Sequence, residues 1–131
     1  MPVLDTVVLF AALSKADPRH EKALYYMGKL LEEEDYYISA MALVELDVVL
    51  KSRRFSDEQR MDVFALLAAD YPNAKISPLS PMTLYLAAKI EKEYGLEYFD
   101  ACVAAEALLL DGVVVSTDQS LDRVSGLRRI W

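Results

Sequence analysis

Residues 2–13 read PVLDTVVLFAAL, and this stretch decides the fold class. Pro2 to Asp5 is typical of a short buried strand, and Thr6 to Ser14 predicts a helix that follows with almost no loop. A strand that passes directly into a helix begins a βα unit, from which parallel sheets are built. The stretch therefore predicts an α/β domain.

The same alternation of strand and helix patterns continues to the end of the chain, with no repeat, linker or break in composition. We therefore expect one domain over residues 1–131, with a short central parallel sheet flanked by helices. The further predicted strands are Tyr36–Ser39, Lys75–Ser77, Val113–Val115 and an edge strand over Leu127–Trp131. The further predicted helices run from Asp17 to Glu34, Ala40 to Arg53, Ser56 to Tyr71, Pro81 to Gly95, and Tyr98 to Gly112.

Local signals support several of these boundaries. Asp17 followed by Pro18 suits an N-cap and a first helical position, and Ser56 with Gln59 three residues later forms a capping box. Helical spacing predicts one apolar stripe on the second helix, made of Leu24, Met27, Leu30 and Leu31, which faces the core or in part serves a dimer or a partner helix.

Composition excludes several classes of protein. With 54% hydrophobic residues, four glycines and five prolines, the chain is neither disordered nor a low-complexity scaffold. The single cysteine cannot form an internal disulfide, as in proteins of a reducing compartment. The longest apolar run, Val7–Leu13, is far shorter than the ~18–20 residues of a membrane helix, and no basic secretory leader is evident. We expect a cytoplasmic domain without a membrane segment.

The charge balance restricts the ligands that the chain can bind. It carries 21 acidic and 14 basic residues, a net charge of −7. A protein that binds nucleic acid through phosphate contacts alone is normally basic. Either the ligand is not a polyanion, or a bound cation and a local basic patch reverse the field at the site.

Four acidic residues occupy informative places. Asp5 ends the first predicted strand and Asp118 follows the Val113–Val115 strand, while Asp100 lies at the beginning of a helix and Glu45 lies within an apolar helical segment. Because ligands of open parallel sheets bind beyond the carboxyl ends of the strands, we expect Asp5 and Asp118 to meet there.

Several carboxylates in one pocket would lose solvation and repel one another unless a cation joined them. Oxygen ligands without histidine or cysteine favour Mg²⁺ or Mn²⁺. Other interpretations of single residues remain open: Asp100 and Asp118 also suit helix N-caps, and Glu45 suits a surface position on its helix.

The order and context of these four acids resemble the PIN-domain family of metal-dependent ribonucleases, in particular the VapC-like toxins of toxin–antitoxin pairs. The resemblance covers nearly the whole chain. Four motifs carry it in order: Val3-Leu4-Asp5-Thr6, Ala42 to Leu46 around Glu45, Phe99-Asp100-Ala101 with Ala104-Ala105, and Ser116-Thr117-Asp118.

The resemblance implies a three-layer PIN-like fold and hydrolysis of RNA phosphodiester bonds with Mg²⁺ or Mn²⁺. It implies that Asp5, Asp100 and Asp118 hold the metal and that Glu45 completes the site or positions the attacking water. A cognate antitoxin protein and a homodimer are the expected partners. Auxiliary roles are expected for Thr6, Ser116 and Asp122.

Two features lie outside the four motifs. Arg53 and Arg54, next to Lys51, form a compact basic cluster that suits either contact with RNA phosphates or a solvated surface. Val7 stands where the family often has Asn or Ser. That departure keeps open a catalytically weakened PIN-fold binding module, beside the further alternative of a housekeeping RNA-processing nuclease.

Overall fold

The computed structural model describes residues 1–131 and contains four strands, six α-helices and two 3₁₀ helices. The strands are β1 (Val3–Leu4), β2 (Tyr37–Ile38), β3 (Val113–Val115) and β4 (Arg128–Ile130). The α-helices are α1 (Thr6–Leu13), α2 (His20–Glu32), α3 (Ala40–Ser52), α4 (Asp57–Asp70), α5 (Pro81–Tyr94) and α6 (Tyr98–Leu108), and the 3₁₀ helices span Asn73–Lys75 and Gln119–Arg123. None of the helices is long and apolar enough to cross a membrane.

The four strands form one parallel sheet in the order β2-β1-β3-β4. Leu4 stands level with Ile38 of β2 on one side and with Val115 of β3 on the other. All four strands are short, and the two central ones, β1 and β3, are wholly buried, as expected for a parallel sheet covered by helices. The edge strand β4 is exposed or half-buried. The predicted three-layer α/β fold is confirmed.

The strand order places a topological switch point between β1 and β3. The chain leaves β1 towards β2 on one side and returns to β3 on the other, so the loops after β1 and β3 diverge from adjacent strand ends. The Asp5 N–H donates to the Val115 carbonyl at 3.0 Å, which joins these two ends. Such a crevice is where open α/β sheets bind their ligands.

The beginning of α2 differs from the prediction. The helix begins at His20 rather than at Pro18. The Asp17 carboxylate instead accepts hydrogen bonds from the Arg19 backbone N–H at 2.8 Å and from the Arg19 guanidinium. This local turn competes with helix formation, as short acidic side chains often do.

The predicted core stripe of α2 is only half right. Met27 and Leu30 are buried, whereas Leu24 and Leu31 are 44% and 65% exposed. Helical spacing shows which residues share a face, but only packing against α1 shows how wide the covered part of that face is. The stripe is therefore narrower than the sequence pattern.

The predicted strand Lys75–Ser77 is wrong in extent. A 3₁₀ helix covers Asn73–Lys75, and only Ile76 makes a parallel bridge, with Ile38. The Ser77 N–H donates to the Ile38 carbonyl at 2.9 Å. The segment thus touches the outer edge of β2 without forming a fifth strand.

Gly112, between α6 and β3, is a position where a side chain is not tolerated. Its φ is +81°, and a Cβ atom there would lie 2.5 Å from the Gly126 carbonyl oxygen. We expect Gly112→Ala to lower the free energy of unfolding by about 2–4 kcal/mol, because left-handed strain and overpacking add. Urea denaturation followed by circular dichroism measures it.

Gly28→Ala is the matched control. Gly28 lies inside α2, and its added Cβ would meet nothing closer than 4.0 Å. Because alanine is the better helix former, we expect stability to rise by up to ~1 kcal/mol. Equal effects of the two substitutions would contradict the expected strain at Gly112.

Candidate active site

Asp5 is the most enclosed of the four acids and follows β1 directly. It is only 5% exposed. Its carboxylate accepts from the Thr6 N–H at 2.7 Å, which caps α1, and from the Ser116 hydroxyl at 2.6 Å. Burial raises the pKa of Asp5, while these hydrogen bonds act in the opposite direction. The side chain is therefore held by the chain on both sides of the switch point.

Asp118 lies across the switch point, three residues beyond β3. Its backbone N–H donates to the Ser116 hydroxyl at 3.0 Å, and its carboxylate accepts from the Ser120 N–H at 2.9 Å. Burial acts to raise the pKa of Asp118, but hydrogen bonds from Ser120 and Asp100 and the charge of Arg129 lower it below its usual value. Ser116 thus links the Asp118 backbone to the Asp5 carboxylate.

Asp100 comes from α6 and lies against Asp118. Burial, a hydrogen bond with Asp118 and the negative charges around it raise the pKa of Asp100 to about 8. Asp100 is not the N-cap of its helix; Glu97 is, and it accepts from the Phe99 and Asp100 N–H groups. The capping interpretation thus fits Asp118, which caps its 3₁₀ helix, but not Asp100.

Glu45 reaches the same region from the middle of α3. Its carboxylate accepts a hydrogen bond from the Thr6 hydroxyl, which ties α3 to the beginning of α1. Burial raises the pKa of Glu45, the bond from Thr6 opposes this, and the charges of Asp5, Glu97 and Asp118 raise it further. Glu45 is half-buried and turned inward, not the surface acid of the alternative interpretation.

Glu97 was not among the candidate residues predicted from the sequence. This exposed acid adds to the negative charge that raises the pKa of both Glu45 and Asp100. The signal was present: an acid three residues before Asp100 is well placed to cap a helix that begins at Tyr98. Conversely, the expected auxiliary residue Asp122 is engaged elsewhere, in a two-bond ion pair with Arg129 at 2.9 and 3.0 Å.

The chemistry of these oxygen-bearing side chains suits a hard divalent cation. They are carboxylates that repel one another, with the Thr6 hydroxyl beside them, and Asp100 retains a proton up to about pH 8. A cation would relieve this repulsion. In the structure as it stands, no three histidine, cysteine or acidic side chains are close enough together to hold an ion, so ion binding requires side-chain rotation. Val7 packs partly against the core and offers no polar group.

The raised pKa of Asp100 predicts a pH-dependent stability. Because the folded chain keeps the Asp100 proton up to about pH 8, whereas an unfolded aspartate loses it near pH 4, stability falls as the pH rises through this interval. We expect the melting temperature in EDTA to be lower at pH 8 than at pH 5.5. Asp100→Asn should flatten this dependence, and an unchanged slope in that variant would contradict it.

The fold and the site together define the class of protein, which is a parallel α/β domain with acidic residues near the switch point of its sheet. A family model described as "PIN domain" matches residues 3–127, and the chain belongs to the PIN domain family. No curated protein matches the sequence significantly.

Several solved structures share this fold. One is VapBC2 from Rickettsia felis bound to a DNA fragment from their promoter, with a TM-score of 0.73 and 17% identity over 98% of this chain and 96% of that one. Another is FitAcB from Neisseria gonorrhoeae, with a TM-score of 0.72 and 20% identity over 98% and 96%. FitAB bound to an IR36 DNA fragment matches with a TM-score of 0.71 and 18% identity over 99% and 94%. At these identities the likeness concerns the fold.

Proposed function

We propose that this PIN domain is a Mg²⁺- or Mn²⁺-dependent endoribonuclease and the toxin of a toxin–antitoxin pair. The observation that carries the proposal is that four acids from four separate segments lie near the switch point between β1 and β3, where burial and the charges of Asp5 and Asp118 raise the pKa of Glu45 and of Asp100. Bringing desolvated acids together, where they raise one another's pKa, costs free energy of folding. A shared cation would offset their repulsion, which points to a functional site.

Each acid has a distinct place in this site. Asp5, Asp100 and Asp118 would hold the ion, and Glu45, held by Thr6, would orient the attacking water. Ser116 keeps Asp5 in place. A divalent cation, when bound, lowers the pKa of water and offsets negative charge on the phosphodiester. The contribution of the chain is to bring the backbone segments that carry these carboxylates to one end of the sheet, from which the side chains can turn towards a shared ion.

The direct test is incubation of purified protein with a mixture of structured RNAs. We expect fragments with internal cleavage sites in the presence of Mn²⁺ or Mg²⁺ and none in EDTA. Single- and double-stranded DNA of matched sequence serve as substrate controls. Intact RNA at every metal concentration, with the protein folded, would overturn the proposal and favour a PIN-fold binding module.

Arg53 and Arg54, at the C-terminal end of α3, offer the RNA a basic surface. Both are exposed, and the Arg53 guanidinium lies 4.5 Å from the centre of the Phe10 ring. Phe10 is four residues beyond Thr6 on α1, about 6 Å along the helix. Five of the other cations are engaged by acidic groups, namely Arg19, Lys29, Arg60, Lys89 and Arg129. Arg53 and Arg54 are among the cations without such a partner, and their adjacency in the chain favours them for phosphate contact.

We expect the double substitution Arg53→Gln with Arg54→Gln to weaken RNA binding at least about tenfold at low salt and to flatten its salt dependence, because two phosphate contacts are lost. Filter binding in EDTA at several salt concentrations measures this without cleavage. Lys89→Gln with Lys92→Gln on α5 removes the same charge and is the control. Equal losses in the two variants would mean that only net charge matters.

The antitoxin and a homodimer are the proposed partners. Support comes from the shared fold with VapBC2 and FitAB, which were solved as complexes with DNA. Expression of the chain alone should arrest growth, and co-expression of the product of the neighbouring gene should relieve the arrest. Normal growth at high expression of folded protein would favour a housekeeping nuclease.

A further inference from the structure

A second buried acid, Glu106, lies on α6 away from the four acids and is 1% exposed. Its carboxylate accepts hydrogen bonds from the Ser39 hydroxyl, from the Ser77 hydroxyl at 2.7 Å and from the Ala40 N–H at 2.8 Å. A longer contact of 3.4 Å comes from the Met41 N–H. Every partner is a donor, so both carboxylate oxygens of Glu106 accept hydrogen bonds.

These donors define the beginning of α3. Ser39 is the N-cap of α3, and its hydroxyl also accepts from the Ala42 N–H at 2.9 Å. Ala40 and Met41 are the first two residues of the helix. A negative group at this end of a helix satisfies free N–H groups and interacts favourably with the helix dipole. Glu106 therefore binds the first turn of α3 to α6.

The two helices joined in this way carry two of the four acids. Glu45 is five residues beyond Ala40 on α3, about 7.5 Å along the helix, and Asp100 is six residues before Glu106 on α6, about 9 Å. Their carboxylates interact with a common neighbour, Asp118. The distance between the Glu45 and Asp100 carboxylates therefore depends on how α3 packs against α6.

We propose that Glu106 is a positioning residue for the acidic site, which holds the beginning of α3 against α6 and so sets the place of Glu45 relative to Asp100. This inference rests on the proposed metal-dependent function. Glu106 does not touch the substrate or the ion, and it acts through the two helices. The consequence is that its loss should weaken ion binding even in molecules that remain folded.

The test is Mn²⁺ binding without RNA, measured from the electron paramagnetic resonance signal of free Mn²⁺, with the folded fraction determined by circular dichroism. We expect Glu106→Gln, which keeps one acceptor oxygen, to raise the apparent dissociation constant about three- to tenfold. Glu106→Ala, which keeps none, should raise it more. The expected effect is smaller than the 10–100-fold that follows loss of a residue bonded to a metal ligand, because Glu106 bonds to none of the four acids.

Ile90→Val is the control for stability alone. Ile90 is buried on α5, and loss of one methyl group there lowers stability modestly on a helix that carries none of the four acids and not Glu106. We expect its dissociation constant to equal that of the wild type. Excess Mn²⁺ should restore RNA cleavage by Glu106→Gln, because the substitution affects ion affinity and leaves the four acids in place.

The outcomes separate the two proposals. A wild type that binds and cleaves, together with a Glu106→Gln variant whose affinity equals that of Ile90→Val, would overturn the positioning role alone. A wild type that binds no Mn²⁺ would overturn the metal-dependent function and the positioning role with it.

Discussion

Asp5→Asn should reduce metal-dependent RNA cleavage at least about 100-fold, a loss of about 2.7 kcal/mol in transition-state stabilisation. Asparagine has the same shape and retains one acceptor oxygen for the Thr6 N–H or the Ser116 hydroxyl. It lacks the negative charge that a divalent cation needs. Because the side chain is buried and held from both sides, no neighbouring acid can replace it.

The measurement is the initial rate of cleavage of one RNA substrate at several Mn²⁺ concentrations. Asp100→Asn is expected to give a similar loss, since it removes the acid that lies against Asp118. Asp111→Asn is the matched control: this exposed acid precedes β3 at the opposite end of the strand and should retain wild-type activity. Wild-type turnover in either Asp5→Asn or Asp100→Asn would remove that residue from the site.

Glu106→Ala should lower the free energy of unfolding by about 3 kcal/mol. The substitution removes the acceptor for the Ser39 and Ser77 hydroxyls and leaves a cavity in a fully buried place. An unsatisfied buried donor costs about 1–3 kcal/mol, and a cavity adds to this. Burial raises the pKa of Glu106, which shows that its charge is desolvated. Removing this charge therefore offsets part of the decrease in the free energy of unfolding.

Urea denaturation at pH 7 measures the effect, with an unchanged slope as evidence that unfolding remains two-state. Glu106→Gln should lose only about 1 kcal/mol, since one acceptor oxygen survives. Glu34→Ala removes an exposed acid and should change stability by less than ~0.5 kcal/mol. A loss below about 1 kcal/mol in Glu106→Ala would mean that the donors find other partners.

Local patterns predicted those parts of the fold that depend on neighbours in sequence. The capping box of Ser56 with Gln59 is present at the beginning of α4, and Gly95 ends α5 in a left-handed conformation. The strand over Val113–Val115 has the predicted bounds. Each of these signals involves atoms a few residues apart, so tertiary contacts have little effect on it.

Predictions failed where distant contacts decide the outcome. Asp17 binds Arg19 rather than capping α2, and half of the apolar stripe of α2, Leu24 and Leu31, stays exposed in the single chain. Glu106 gave no signal, since its apolar neighbours in the segment Val103–Leu109 predict only a buried helix. Its partners, Ser39 and Ser77, lie 67 and 29 residues away in the chain.

The sequence by itself determined the alternation of strands and helices, and with it a parallel sheet whose strand ends carry Asp5 and Asp118. This follows because apolar periodicity and strand direction are local properties. Only the tertiary structure decided that Ser116 joins Asp5 to the Asp118 backbone, that Thr6 binds Glu45, and that α3 begins on the Glu106 carboxylate. The physical reason is that hydrogen bonds between remote segments depend on how helices pack on the sheet, which no local pattern encodes.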